Sequence, residues 1–124
     1  MTYLSAEDIL EIHSMLIDEI GGMHGVRDMN AILALVGLPK QKISGRELYP
    51  SIFSKAAVYA RNTIMNHPFF DGNKRTGMTA ASIFLEDNGY KIVCKDGEIE
   101  KFALDIIKSK LSIEEIADWF KRHY

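Results

Sequence analysis

The chain has 124 residues, 47% of them hydrophobic, with 15 basic and 17 acidic side chains and a net charge of −2. Such a length is expected to form one domain, residues 1–124, around a single core, and one cysteine, Cys94, excludes an internal disulfide scaffold or a zinc knuckle. Met1-Thr2-Tyr3-Leu4-Ser5 lacks the basic and apolar regions of a signal peptide, and no apolar run nears the roughly 20 residues that cross a bilayer, so the expectation is a soluble, cytoplasmic chain without a membrane partner.

The periodicity is helical almost throughout. Ser5 with Asp8 three residues on is a shortened capping box, and Leu4 with Ile9 has the spacing of a hydrophobic staple. Ile9, Ile12, Leu16, Ile17 and Ile20 continue as an amphipathic stripe that ends at Gly21-Gly22. Asp28 caps a short second helix carrying Ile32, Leu33, Leu35 and Val36, closed by Gly37. A loop is expected from Leu38 to about Tyr49, holding Lys40, Lys42 and Arg46. Pro50 suits the first turn of a third helix, which buries Phe53, Ala56, Ala57, Ala60 and Ile64 and stops near Asn66 because of Pro68.

A fourth helix is expected from about Asn73 to Asn88-Gly89, with Ala80-Ala81 allowing a close helix contact. Tyr90 to Lys95 reads as extended, too little for a sheet. Ile99, Phe102, Ala103, Ile106 and Ile107 mark a fifth helix. Ser112 with Glu115 is a full capping box, stapled by Leu111 and Ile116, and starts a terminal helix with Trp119 and Phe120. The fold class is therefore all-α, a compact six-helix bundle.

One segment carries more chemistry than a turn requires: His67-Pro68-Phe69-Phe70-Asp71-Gly72-Asn73-Lys74-Arg75-Thr76. Gly72 and Asn73 precede a helix N-terminus, where free N–H groups and the dipole attract an anion. Lys74 and Arg75 add charged donors. Asp71 suits magnesium, which takes one or two carboxylates together with waters and phosphate oxygens. His67 is a base at neutral pH. His-Pro and Asp-Gly-Asn are also ordinary turn chemistry, and a Lys-Arg pair also suits a solvated helix start. Phe69 reads as an anchor into the core, and Phe70 as facing ligand or solvent. His13, His24 and His123 are read as structural or exposed, and Cys94 as a small apolar residue.

His67-Pro-Phe-x-Asp-Gly-Asn-Lys-Arg75 resembles the signature of the Fic/Doc family, His-x-Phe-x-(Asp/Glu)-(Gly/Ala)-Asn-x-Arg. Gly21-Gly22, Gly25-Val26-Arg27-Asp28, Leu48-Tyr49-Pro50, Phe84-Leu85 and Asn88-Gly89-Tyr90 resemble further landmarks of its Doc branch, the death-on-curing toxins, in the same order. The resemblance covers Leu4 to Tyr90 well and the last helices loosely. It implies the Fic/Doc fold and ATP as substrate. It makes His67 the base, Phe69 the loop anchor, Asp71 the magnesium ligand and Gly72 and Asn73 an anion cradle. Lys74 and Arg75 then bind the nucleotide phosphates, with Arg75 also offsetting transition-state charge.

Fic-type enzymes move AMP onto a protein hydroxyl. The Doc branch moves the terminal phosphate, onto a threonine of a translation elongation factor. Lys74 and Met78 stand where AMP-transferring members usually carry Gly and a second Arg, which favours the kinase reading. Gly72, the glycine of the wider family, keeps nucleotidyl transfer open. The self-inhibiting (Ser/Thr)-x-x-x-Glu-(Gly/Asn) pattern has no clear copy, since Ser82 to Glu86 is followed by Asp87. Restraint by an antitoxin whose disordered tail folds into a groove is therefore implied. By analogy, Leu38–Tyr49 is the segment for target docking. The rival readings are a catalytically silent binding module and a nucleic-acid binder using Lys40, Lys42, Arg46, Arg61, Lys74 and Arg75; the net charge of −2 argues against the latter.

Overall fold

Side-chain caps set most of the helix starts. Ser5 Oγ accepts from the Asp8 N–H while the Asp8 carboxylate accepts from the Ser5 N–H, and Ser112 and Glu115 repeat this reciprocal pair. Asp28 Oδ1 accepts from the N–H groups of Asn30 and Ala31. The computed structural model describes residues 1–124 and places six helices in chain order: α1 (Ala6–Ile20), α2 (Met29–Gly37), α3 (Ile52–Asn66), α4 (Asn73–Asp87), α5 (Glu98–Lys108) and α6 (Ile113–Lys121). The fold is all-α, as the periodicity predicts. No helix is long and apolar enough to cross a membrane.

Helices α3 and α4 form the centre as an antiparallel pair. Ala56, Ala57 and Ala60 on α3 and Ala80 and Ala81 on α4 are buried. Their small side chains let the axes come close, and at Gly77 there is no room for a side chain. A Cβ there would lie 2.9 Å from the Ala60 carbonyl oxygen and 3.1 Å from Ile64. Tyr59 and Phe84 pack across the pair with ring centroids 5.0 Å apart. The Leu4 N–H donates to the Tyr59 hydroxyl at 3.2 Å, and burial pushes that hydroxyl's pKa up to about 12. The other face of α3 receives α6 through Ile116 and Phe120, while Trp119 stacks on Phe102 of α5 at 4.3 Å.

Four local expectations are corrected. The segment after α2 is more than a loop: a 3₁₀ turn, Leu38–Lys40, leads into a hairpin of β1 (Lys42–Ile43) and β2 (Arg46–Glu47). Strands of two residues are too short to leave a periodic signal. Their turn is Ser44-Gly45, both at positive φ. Buried Lys55 of α3 holds this unit by donating to the Pro39 carbonyl at 2.8 Å and to Glu47 Oε1 at 2.9 Å. That hydrogen bond and charge hold the Glu47 carboxyl below its usual range. Pro50 lies outside α3, whose cap is Ser51, because the serine oxygen can accept the Ser54 N–H at 3.0 Å. Ile20 and Leu33 belong to the predicted apolar sets but are 57% and 53% exposed. Ile20 is the last residue of α1, and on α2 it is Ile32 and Leu35, not Leu33, that reach the core.

Tyr90 to Lys95 has no strand partner. Tyr90, Ile92 and Cys94 pack on the core in alternation with exposed Val93, and the Val93 N–H donates to the His123 carbonyl at 2.6 Å. Burial, followed by the neighbouring Glu98 and Glu100, raises the Cys94 thiol pKa.

Thr76, in the first turn of α4, is fully buried and its hydroxyl has no hydrogen-bond partner. A buried unpaired hydroxyl costs about 1–3 kcal/mol. Thr76→Val keeps the shape and removes that cost, so it should stabilise the fold by about 1 kcal/mol. Urea unfolding checks this, and an unchanged or lower midpoint contradicts it.

Candidate active site

The six-residue link between α3 and α4 is fixed by the segment that follows α1. His67 ends α3 in the left-handed conformation, φ 48 and ψ 60, which few non-glycine residues adopt. Arg27 holds it there, donating from Nε to the His67 carbonyl at 2.6 Å and from Nη2 to the Asn66 carbonyl at 2.7 Å. These donors also satisfy carbonyls that the helix end leaves open. The N–H groups of Arg27 and Asp28 both donate to the Pro68 carbonyl, at 2.7 and 3.0 Å. Val26 bridges to Phe69, and the Phe70 N–H donates to the Gly25 carbonyl at 3.3 Å. A Cβ at Gly25, where φ is 128, would meet the Phe70 ring at 2.9 Å. This approach therefore requires glycine.

Within the link, Asn73 acts as an internal clamp. Its Oδ1 accepts from the Phe69 N–H at 3.0 Å and its Nδ2 donates to the Phe69 carbonyl at 2.9 Å. The Phe69 ring is 1% exposed, whereas Phe70 is 57% exposed. Asp71 Oδ2 accepts from the Met23 N–H at 3.0 Å, and Oδ1 accepts from the Gly72 N–H at 2.9 Å. The Met23 bond, then the Gly72 bond, hold the Asp71 carboxyl below its ordinary range, with smaller help from Arg75 and His13.

Gly72 caps α4 in the left-handed conformation, φ 77, with no side-chain cap. Its carbonyl takes the Thr76 N–H at 2.9 Å. The N–H groups of Asn73, Lys74 and Arg75 find no acceptor in the protein. Three free donors at the positive end of a fifteen-residue helix form an anion seat. Gly72 enters it through backbone shape, since its own N–H is taken by Asp71. Asn73 enters through its N–H alone, since its side chain is committed to Phe69.

Two adjoining cavities share this seat. One, of about 240 Å³, is lined by His67, Arg27, Phe69, Phe70 and Asp71 to Lys74. The other, of about 410 Å³, lies between α4 and α5, where Arg75, Met78, Thr79, Ile99, Glu100, Ala103 and Leu104 join Asp71 to Lys74. His67 is exposed and its imidazole makes no hydrogen bond within the protein. Lys74 lines both cavities, whereas Arg75 lines the larger one and not the one that His67 lines. Arg27, rather than Arg75, shares the small cavity with His67. The sequence assigns Arg27 no role of its own, although it stands in the run Gly25-Val26-Arg27-Asp28. Nothing near it in sequence reveals bonds to the end of α3.

Asp71 links pH to stability with a definite sign. Its carboxyl pKa is depressed in the fold, so its contribution is full above the usual carboxylate range and is lost as pH falls below about 4. Asp71→Asn should therefore be less stable than wild type near neutrality, and the gap should close between about pH 5 and pH 2. Urea unfolding across that range tests this; parallel curves would contradict it.

The sequence of the loop and of the helices around it matches known proteins. The model of the Fic/DOC family matches residues 3–85, from just before α1 into the last turn of α4. "Protein kinase doc" of Escherichia phage P1 is 27% identical over 124 residues, the whole of this chain and 97% of that protein. "Toxin Doc" of Mycolicibacterium smegmatis is 38% identical over 90 residues, 73% of this chain and 67% of that protein. With the loop from His67 to Arg75 inside the matched region, the chain belongs to the Fic/DOC family.

Proposed function

We propose that the chain is the toxin of a toxin–antitoxin module and a protein kinase, moving the γ-phosphate of ATP onto a Ser or Thr hydroxyl of a translation elongation factor. One observation carries the chemistry. The free imidazole of His67 lines the same cavity as Lys74 and the open α4 N-terminus. A base thus stands beside an anion seat, the minimum that phosphoryl transfer needs from the protein. The names of the relatives, a kinase and a toxin, support the class of activity.

In this mechanism His67 takes the proton of the target hydroxyl as the oxygen attacks the γ-phosphorus. The bond from that phosphorus to the β,γ-bridging oxygen breaks, and ADP leaves with the electron pair. The N–H groups of Asn73, Lys74 and Arg75 and the Lys74 ammonium hold the phosphates in line and offset the charge of the transition state. Arg75, in the adjoining cavity, binds the rest of the polyphosphate and adds to that charge stabilisation. Phe69 keeps the loop anchored.

The donor set at Asp71 fits magnesium arriving with the nucleotide. Each carboxylate oxygen accepts one N–H and keeps a further lone pair. No cluster of three acidic, His or Cys side chains forms a preformed cage, and magnesium is well served by one carboxylate plus phosphates and water. When bound, it would neutralise phosphate charge.

Met78 supports γ-phosphate over AMP transfer. It is buried at the wall of the larger cavity and cannot grip a phosphate where a second arginine would. The segment Leu38–Tyr49, which contains the exposed hairpin β1–β2, would dock the protein substrate. In the cell the protein would act in the cytoplasm, where elongation factor resides, and be restrained by an antitoxin whose disordered tail folds onto it.

The test is intact-protein mass spectrometry of elongation factor incubated with the protein, ATP and magnesium. A gain of one phosphate is expected, slowed about 10²- to 10⁴-fold by His67→Ala. A gain of AMP instead moves the chain to nucleotidyl transfer, which Gly72 would suit. Full activity in His67→Ala removes the base, and no gain on any tested protein favours a silent binding module.

A further inference from the structure

One buried polar side chain touches the active loop from behind, and neither cavity includes it. His13 lies midway along α1, 3% exposed, among Ile9, Ile12, Leu16 and Ile17. A leucine would serve such a place in a core at least as well. The imidazole instead makes two contacts with the loop. Its ring stacks on Phe69, with centroids 3.7 Å apart and planes within 3°. Its Nε2 lies 2.8 Å from the Asp71 carbonyl oxygen. A carbonyl can only accept, so Nε2 carries the proton and His13 donates. It is the only donor within the protein to that carbonyl.

The bonded carbonyl belongs to the peptide unit that enters the anion seat. The Asp71–Gly72 unit has its C=O on His13 and its N–H on Asp71 Oδ1. Gly72, at φ 77, is a residue for which the alternative peptide orientation carries little steric penalty. Turning the unit over would break both bonds and swing a carbonyl dipole out of the core side. A carbonyl facing the phosphates would oppose the free N–H groups that attract them.

We propose that His13 is a positioning residue for the anion seat: its Nε2–H locks the Asp71–Gly72 peptide in the one orientation that leaves the α4 N-terminus open to phosphate. This rests on the reading of that N-terminus as the phosphate site. The stack on Phe69 holds the imidazole in plane to donate. The neutral Nε2–H tautomer and the cation both donate, so the lock does not depend on which is present.

Two variants separate the hydrogen bond from packing. His13→Phe keeps an aromatic ring on Phe69 and removes the donor; His13→Gln keeps an N–H donor at similar reach and removes the ring. Three quantities are read: the urea midpoint, amide hydrogen exchange at Gly72 and Asn73 in the free protein, and ATP affinity by calorimetry. For His13→Phe the midpoint should stay near wild type, Gly72 exchange should accelerate, and ATP should bind about tenfold more weakly, the scale of one hydrogen bond. His13→Gln should restore both exchange and affinity to within about threefold of wild type. Wild-type exchange and affinity in His13→Phe would overturn the proposal, as would a folded His13→Gln no better than His13→Phe. Should wild type itself bind no ATP, the phosphate reading fails; exchange at Gly72 then decides the role of His13 alone, and unchanged exchange in His13→Phe sinks it.

Discussion

The close contact of α3 and α4 at Gly77 is the constraint on which the site depends. Any side chain there would press on the Ala60 carbonyl, and the helices would have to move apart. Their spacing fixes the gap that the loop from His67 to Gly72 must span. It also aims the two ends that matter. The C-terminus of α3 presents His67, and the N-terminus of α4 presents three unbonded N–H groups a few residues later. An exposed imidazole and an open helix N-terminus are thus delivered by one helical hairpin, before any other element is considered.

A short loop between close helices has little core of its own, so it is held from three directions. Asn73 clamps Phe69 from within. The strand-like run Gly25 to Asp28 grips Pro68, Phe70 and the end of α3. Helix α1 reaches the loop from the core through His13. The division of labour is physical. Groups that hold the loop are backbone amides or committed side chains, whereas His67, Lys74 and Arg75 are exposed. Pre-positioned dipoles act on a transition state without reorganising, which is what a tightly stapled loop supplies.

The helices were legible in the sequence because each carries a cap or a periodic stripe that acts locally. Ser5, Asp28 and Ser112 stop the chain from starting a helix anywhere else, and the alanines of α3 and α4 announce a close contact. The family was legible because nine consecutive residues bear the loop. The hairpin at Lys42 to Glu47 was not, since its placement comes from Lys55, a buried lysine whose bonds cross from α3. Nor was the grip of Arg27 or His13. Their partners are the carbonyls of Asn66, His67 and Asp71, and a carbonyl has no sequence signature. Asn73 shows the same limit in reverse: its place in the motif suggests a ligand group, while its side chain is spent on the loop itself.

The charge of the whole chain says little about the charge at this site. With a net value of −2, the molecule still gathers Arg27, Lys74 and Arg75 around a helix N-terminus, against the carboxylates of Asp71 and Glu100. The attraction for an anion is therefore local, strongest within about one Debye length, roughly 8 Å at physiological salt. Asp71 keeps its negative charge, which two backbone N–H groups stabilise, but the three cations and the open helix end outnumber the two carboxylates. Along α4 the character then changes within one turn, from Lys74 and Arg75 to buried Met78. On the proposed function a polyphosphate would be held over the first turn, since α4 carries no cation beyond Arg75. The length of the positive stretch, rather than its strength, is what this sequence sets differently from a loop that continues into a second arginine.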